Sequence, residues 1–395
     1  MSIGTEWAWD SAIDERLYAV RRQLHQHPEL SFSEHETCAT IVRTLNEWGI
    51  PSKIMCETGV VVDIHGGLGT GRTIALRADI DALPIEEKSG VPFASQNPGV
   101  MHACGHDGHT TILLGAVYHL WKHRDRFRGL VRCIFQPGEE ADGAAKKMIE
   151  AGVLSEPTIE AAVALHLWPH LPFGTVGVRE GSVTASCDDF SIHIMGKGGH
   201  SARPHQAVDA IAIAAEVIRS LQYLRVKMSN PVEPLVIHVG KINGGVASNV
   251  VADAVTLDGT IRSLTEEVRI DCKRKFIELV EGIAQQYGGK ANVSYDDGNP
   301  AVNNNARVLH RLAESAARVI GETNLHTLPH PSMGADDFGY FAQAVPSTYF
   351  RLGIKQSEKD SFDLHHPQFY FDEAIIPIGG KIFTQFALNW LEEGE

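Results

Sequence analysis

Between residues 60 and 170, short runs of aliphatic and β-branched residues alternate with longer stretches whose apolar positions suit helices. The runs predict strands at Val60 to Ile64, Thr73 to Ala78, Leu130 to Phe135 and Ala161 to Leu167. Helices are expected at Ser11 to His27, ended by Pro28, at Thr110 to Trp121, and at Ala144 to Ala151, ended by Gly152. This alternation indicates an α/β fold, in which helices cover both faces of a largely parallel sheet.

After Gly181 the pattern changes to strand, helix, strand, strand, helix, strand. The predicted elements cover residues 187–195, 207–221, 235–241, 254–262, 266–286 and 291–295. Their order is typical of the ferredoxin-like split βαβ motif. From Pro300 a helical pattern returns, with a strand at Ser347 to Leu352 and a final amphipathic helix at Asp372 to Leu391. We therefore expect an α/β domain at 1–181 and 299–395, interrupted by an inserted α+β domain at 182–298.

Composition narrows the class of protein. The chain has 395 residues, of which 43% are hydrophobic, so each domain can bury a core and a disordered chain is excluded. No apolar run approaches the about 20 residues that a membrane helix needs. The formal net charge of −14 disfavours nucleic-acid binding. The N-terminus shows no secretory leader and the six cysteines show no paired spacing, so we expect a cytoplasmic protein with free thiols.

Candidate metal ligands follow the predicted strands. The densest segment is Met101 to His109, which holds three histidines and Cys104 just before a helix. A thiolate and an imidazole two residues apart, flanked by glycines that allow tight turning, can reach one ion or a close pair. The alternative is a helix N-terminus capped by Asp107, with exposed histidines.

Two further segments belong to the same expected edge of the sheet, where open α/β sheets place their ligands, and a fourth lies late in the chain before the last helix. Gln136 to Glu140 follows a strand directly. If its backbone is extended, adjacent side chains point to opposite sides, so one glutamate can bind metal while the other holds a water. His166 stands at the end of a predicted strand, and Leu364 to Pro367 holds two adjacent histidines. The alternatives are a solvated acidic loop, a core histidine and two surface histidines.

The inserted domain contributes a turn-rich link at Gly198 to His205. Glycines beside His200 and Arg203 suggest a mobile loop that presents positive donors to a substrate. An ordinary glycine-rich turn is the alternative interpretation of this link.

Several motifs together resemble the M20 metallopeptidase family, in its branch of N-acyl-amino-acid amidohydrolases that includes hippurate and plant auxin-conjugate hydrolases. The resemblance covers nearly the whole chain. It rests on Arg22 to His25 with Pro28 to Leu30, Arg77 to Pro84, His102 to Asp107, Gln136 to Glu140, Gly199 to Pro204, Met333 to Phe338, and Leu364 with His365.

The resemblance implies a site with two divalent metals. Its ligands would be Cys104, His106, Glu140, His166 and His365, with Cys104 in the place of the bridging aspartate of other branches. Glu139 matches the general base, and Asp81 would orient a ligand. His200 matches a lid-domain histidine that reaches the neighbouring subunit's site in related dimers. Asn249 and Arg262 are candidates for holding the substrate carboxylate, and Asp336 stands where this branch commonly has Glu.

The resemblance also implies hydrolysis of the amide of an N-acetyl, N-benzoyl or indole-acetyl amino acid, in a homodimer or higher oligomer formed through the inserted domain. The thiolate favours Zn²⁺, while the mixed ligand set also admits Mn²⁺, Co²⁺ or Ni²⁺. A dipeptidase and an N-acyl-diaminopimelate deacylase are alternatives within enzymes. A catalytically silent protein that binds metal or amino acids is the alternative outside them, but such a site has no need of Glu139.

Overall fold

The structure is a computed structural model that describes residues 7–141, 143–228, 230, 232–357 and 362–392. The first six residues, which bear on the expected absence of a leader, lie outside this part. The helices are α1 (Asp14–Gln26), α2 (His35–Glu47), α3 (His106–Lys122), α4 (Ala144–Glu150), α5 (Ala210–Met228), α6 (Glu266–Gln286), α7 (Ala306–Ile320), α8 (Phe338–Ala344) and α9 (Ile375–Leu391). Among the described residues, no helix has both the length and the apolar character that a membrane span requires.

The strands are numbered in chain order. They are β1 (Lys53–Met55), β2 (Gly59–His65), β3 (Thr73–Asp79), β4 (Leu130–Gln136), β5 (Ala162–Pro172), β6 (Val176–Val178), β7 (Gly181–Ser182), β8 (Cys187–Met195), β9 (Gly199–His200), β10 (Val236–Gly244), β11 (Val250–Val251), β12 (Ala254–Arg262), β13 (Lys290–Asn299), β14 (Asn303–Asn304), β15 (Leu325–Thr327) and β16 (Ser347–Lys355).

The chain divides into two compact units. The larger comprises Met1–Val183, Asn303–His330 and Tyr340–Glu395, and the smaller comprises Thr184–Val302 and Pro331–Gly339. The second segment of the smaller unit lies outside the insert expected at 182–298. Hydrogen bonds hold this segment in its unit, because Gly334 O accepts from Ala185 N at 2.9 Å and Met333 O accepts from Arg262 Nη1 at 2.9 Å. The local sequence pattern carried no sign of these long-range bonds.

The larger unit is built on a mixed sheet in the order β1-β2-β4-β3-β5-β16-β6-β15. Its four central strands, β4, β3, β5 and β16, are parallel to one another. All seven positions of β4 are buried, as expected for a central strand covered on both faces. The predicted α/β fold class is confirmed, and the alternation of apolar runs with helices identified its central strands.

The smaller unit contains β8, α5, β10, β12, α6 and β13. Its antiparallel sheet has the order β10-β12-β8-β13, which is the arrangement of a split βαβ motif. Alternate positions along β8 are buried, among them Phe190, Ile192 and Ile194, and these side chains form the core with α5 and α6. A short antiparallel ribbon of β9 and β11 was not predicted, since two-residue strands leave no periodic signal.

Candidate metal centre

Parallel pairing brings the candidate segments to one region of the larger sheet. Asp79, the last residue of β3, pairs with Gln136, the last residue of β4. On the other side of β3, Arg77 pairs with Ala164 of β5, so His166 lies level with Asp79. The prediction that His166 ends its strand is wrong, because β5 continues to Pro172 through its pairing with β16. His166 nevertheless lies beside the last residues of β3 and β4 in the register of the sheet.

The segment with Cys104 and His106 turns sharply into α3. The helix begins at His106, and Gly105 before it has φ +84°, a left-handed conformation that glycine adopts readily. Asp107 therefore lies inside the helix, and the alternative interpretation of Asp107 as the cap is wrong. Its buried carboxylate instead accepts from Arg21 Nε at 2.8 Å and lies 2.9 Å from His25 Nδ1.

The two glutamates occupy a turn. The expected extended backbone, with side chains on opposite sides, is wrong because Gly138 adopts φ +62° and the chain turns at Glu139 and Glu140. Glu140 N donates to Asp81 Oδ2 at 2.9 Å, which holds the turn against the end of β3. The two carboxylates consequently lie on the same side, in one group with His106.

His365 reaches the site from the segment before α9. Its backbone adopts φ +63°, and its N–H donates to Ala103 O at 2.9 Å, next to Cys104. Its Nε2 lies 3.3 Å from Glu140 Oε1. The neighbouring His366 instead stacks on Phe362 and accepts from Gln368 N. Of the two adjacent histidines, His365 is the one that lies beside the glutamate.

The five predicted ligands form two groups that share one sulfur. Cys104, His106 and His166 form one group, and Cys104, Glu140 and His365 form the other. In each group the candidate ligand atoms lie within 4.8 Å of one another. Cys104 Sγ lies 3.3 Å from His166 Nε2. This arrangement brings together side chains that are far apart in sequence, and it offers one thiolate to two neighbouring positions.

The hydrogen bonds of His106 and His166 involve Nδ1, which leaves Nε2 as the candidate metal-binding atom of each ring. His106 Nδ1 lies 3.0 Å from Asp81 O and 3.2 Å from Asp81 Oδ1, and His166 Nδ1 lies 2.7 Å from Leu167 O. With metal bound, both rings would carry the proton on Nδ1 and present the lone pair of Nε2 to the ion. Among the described residues, buried His106 Nε2 and Glu140 Oε1 have no hydrogen-bond partner. Such buried orphan atoms are costly, and a cation would satisfy them.

The charges of the site also fit a cation. Burial and then Glu140, Glu139 and Asp79 raise the pKa of the Cys104 thiol well above its ordinary value. Burial opposes the charge on His106, yet Asp79, Asp81 and Glu140 outweigh it and raise its pKa to about 10. Burial holds the pKa of His166 well below its ordinary value, so this ring is neutral. Excess negative charge around a thiol and a neutral imidazole suits a divalent ion.

Asp79 and His109 were not predicted as site residues. Asp79 is buried and accepts from Arg77 Nη1 at 2.6 Å, and His109 Nδ1 lies 2.6 Å from its other oxygen. Leu167 N donates to His109 Nε2 at 3.0 Å, so both nitrogens of this ring are used within the protein. The spacing of His106 and His109, one helical turn apart, and the spacing of Asp79 and Asp81 were the available signals.

The remaining predicted residues lie in the smaller unit. His200 is exposed in the β9–β11 ribbon, where its Nδ1 accepts from Ala202 N at 3.1 Å. Asn249 precedes β11, and its carbonyl accepts from Ser201 N. Arg262 ends β12, and Asp336 is buried, with Oδ1 accepting from Phe338 N at 2.8 Å. The roles of these residues stay predictions.

Comparison with known proteins identifies the family. The sequence profile of Peptidase family M20/M25/M40 matches residues 75–389, which include every candidate ligand. The chain belongs to this family. Among its members, an N-acetyl-L-cysteine deacetylase of Bacillus subtilis is 40% identical over 387 residues, which are 98% of this chain and 90% of that protein.

Two further similar proteins have names that state an activity or a metal content. An N-acetyldiaminopimelate deacetylase of Bacillus velezensis is 38% identical, over 94% of this chain and 98% of that protein. A solved structure from Bacillus subtilis, described as a dinuclear metal-binding peptidase of family M20, superposes with a TM-score of 0.85 at 36% identity, covering 97% of this chain and 99% of that one. The predicted enzyme class is confirmed: the protein is a metal-dependent amidohydrolase that uses divalent metal.

Proposed function

We propose that the enzyme hydrolyses the amide bond of N-acyl-L-amino acids. The observation that carries this proposal is the double group of donors around Cys104 Sγ, with Glu139 in the turn beside it. Two relatives named as deacetylases support an acetyl group as the acyl part. N-benzoyl and indole-acetyl amino acids are the other substrates that the motifs suggested.

Two divalent ions would be held by Cys104, His106, Glu140, His166 and His365. The thiolate favours Zn²⁺, and the histidines and carboxylate also suit Mn²⁺, Co²⁺ or Ni²⁺. When bound, such an ion lowers the pKa of a coordinated water from 15.7 to about 7. A reducing cytoplasm, which is the proposed location, would keep Cys104 as the thiol that this site needs. The six cysteines are all free in the structure, as this proposal requires.

Glu139 is proposed as the general base. Its side chain is nearly buried, and its carboxylate lies within the group formed with His106 and Glu140. From this position it takes the proton of the attacking water and passes it to the nitrogen of the leaving amine. Asp81 is a positioning residue, because it fixes the tautomer of His106 and binds the backbone of Glu140.

Three residues of the smaller unit keep, as proposals, the roles that the resemblance implies. His200 would stabilise the oxyanion, and Asn249 and Arg262 would contact the substrate. In the dimer expected from the resemblance, this histidine would come from the neighbouring subunit. Light scattering should then show a homodimer or a higher oligomer, whereas a monomer of full activity would contradict the shared site.

A diaminopimelate deacylase is the second candidate, because a relative of 38% identity bears that activity in its name. A dipeptidase would use the same donors. These candidates differ in the group beside the scissile amide. Rates on a panel of N-acetyl, N-benzoyl and indole-acetyl amino acids, dipeptides and N-acetyl-diaminopimelate would separate them.

The test combines this panel with metal analysis of the purified enzyme. We expect about two ions per chain and highest turnover on N-acyl amino acids. Highest turnover on dipeptides or N-acetyl-diaminopimelate would replace the substrate assignment. Full metal content without turnover on any of these compounds would favour a protein that only binds metal or amino acids.

A further inference from the structure

Arg351 lies in the middle of β16, beside a proposed metal ligand. It pairs in register with His166 of the neighbouring parallel strand β5. Because partners in a parallel pair point to the same face of the sheet, the two side chains leave the sheet together. Trp168, two residues after His166, belongs to the same face, and its ring centroid lies 6.1 Å from that of His166. A guanidinium, an indole and a proposed ligand therefore form one contiguous cluster on this face of the sheet.

The surroundings of the Arg351 side chain supply little compensation for its charge. The residue is 5% exposed, and its guanidinium carbon lies 3.6 Å above the centre of the Trp168 ring. Within the described chain, its Nη2 donates a long hydrogen bond to Val183 O at 3.3 Å. Nε is buried and has no partner among the described residues, and none of the carboxylates that the structure describes pairs with this guanidinium.

Every other buried arginine of the described chain has a carboxylate partner. The pairs are Arg21 with Asp107, Arg77 with Asp79, Arg132 with Asp63, and Arg269 with Asp188, at donor to acceptor distances of 2.6–2.8 Å. A buried charge without a partner is expensive, and cation–π contact with one indole offsets only part of that cost. The exception, Arg351, lies next to the proposed metal ligand His166, where the substrate of the proposed reaction would bind.

We propose that Arg351 binds the free carboxylate of the substrate, with Trp168 fixing the plane of the guanidinium. This inference rests on the proposed function, since only an acyl amino acid brings that carboxylate. In such a substrate one carbon separates the amide nitrogen from the carboxylate carbon. An anion-binding group must therefore lie close to the metal centre, as a residue in register with His166 does. Arg351 thereby selects free acids over neutral analogues.

The test compares N-acetylalanine with its carboxamide, which has the same shape without the negative charge. Arg351→Met removes the charge and keeps much of the side-chain bulk. We expect kcat/KM for the acid to fall about 10- to 150-fold, mainly through KM, since that is the usual effect of losing a hydrogen bond to a charged group. The carboxamide should change less than about threefold. Arg351→Lys should recover part of the preference, because it retains the charge.

Arg179→Met is the matched control. This arginine belongs to the same unit, but its guanidinium donates to the backbone carbonyls of Ser182, Leu328 and Pro329. It should leave the ratio of acid to carboxamide unchanged. Equal losses on both substrates in Arg351→Met would assign the residue a structural role and overturn the proposal. So would loss of the preference in Arg262→Met but not in Arg351→Met.

Binding separates this inference from the proposed function. N-acetylalanine is titrated calorimetrically into the metal-loaded Glu139→Gln protein, with and without Arg351→Met. Weaker binding by a similar factor in the double variant supports the carboxylate site even if the wild type hydrolyses no acyl amino acid. Equal binding to both proteins overturns the role of Arg351 even if the wild type is an efficient amidohydrolase.

Discussion

His106 and His109 lie one helical turn apart on α3, and both face Asp79, yet their environments differ. His106 places Nδ1 against Asp81 and keeps a buried Nε2 that has no hydrogen-bond partner among the described residues. His109 uses Nδ1 on Asp79 and receives the Leu167 N–H on Nε2. The comparison teaches that, of these two rings, the candidate ligand is the one whose Nε2 has no hydrogen bond within the described chain. The structural ring is the one that uses both nitrogens within the protein.

The largest effect is expected from substituting Glu139, whose carboxylate lies in one group with His106. Glu139→Gln should retain both metal ions, since Glu139 is not a proposed ligand, and lower kcat by about 100- to 10,000-fold because general-base catalysis is lost. Steady-state kinetics and elemental analysis of the same sample would measure both properties. Near wild-type turnover would show that another group is the base.

Exchanging the two histidines for alanine tests the comparison itself. His106→Ala should lose at least one metal ion, with activity falling in parallel. His109→Ala should keep the metal and lose stability by about 1–3 kcal/mol, because the Leu167 N–H and Asp79 are left without their partner. Metal content and urea unfolding would be measured for both variants. If the His109 variant lost metal as fully as the His106 variant, the distinction between a metal-binding and a structural histidine would be wrong.

Asp81 sharpens the comparison because its carboxylate lies against His106, whereas His109 lies against Asp79. Asp81→Asn can present its amide N–H to His106 Nδ1 and so disturb the tautomer that leaves Nε2 free. We expect metal affinity to fall about 10- to 100-fold, the usual effect of removing a group that orients a ligand. Competition with a coloured chelator would measure the affinity. Unchanged affinity would mean that the backbone carbonyl of Asp81 is sufficient.

A third histidine of α3, His119, gives the smallest effect. Its Nδ1 lies 2.8 Å from Gly115 O, its Nε2 accepts from Asp10 N at 2.9 Å, and it stacks on Trp9. Burial lowers its pKa to about 4. The unfolded chain therefore binds more protons than the folded chain between about pH 6.5 and pH 4, and stability falls as the pH falls through this range.

The size of this effect at pH 5 is about 2 kcal/mol relative to pH 7. Urea midpoints at the two pH values would measure it in the wild type and in His119→Gln. Because glutamine does not titrate, the variant should be less stable at pH 7 and should lose correspondingly less stability on acidification. Identical pH dependence in both proteins would show that His119 is not protonated on unfolding.

The sequence predicted what depends on local pattern and on motifs. Apolar runs located β3, β4, β5 and β16, and motif resemblance selected the five donors that the structure brings together. Spacing alone left alternatives open at each of these donors. Three features depend on contacts between segments that are distant in sequence. They are the turn at Glu139, the continuation of β5 beyond His166, and the use of both ring nitrogens of His109 in hydrogen bonds. Buried charge without a partner, as at Arg351, likewise becomes visible only when its neighbours are known.

The central claim is that Cys104 is shared by two divalent ions held by five side chains. Anomalous diffraction from crystals of the metal-loaded enzyme tests it most directly. We predict two anomalous peaks on either side of Cys104 Sγ, one beside His106 and His166 and one beside Glu140 and His365. A single peak, or peaks away from these atoms, would contradict the account.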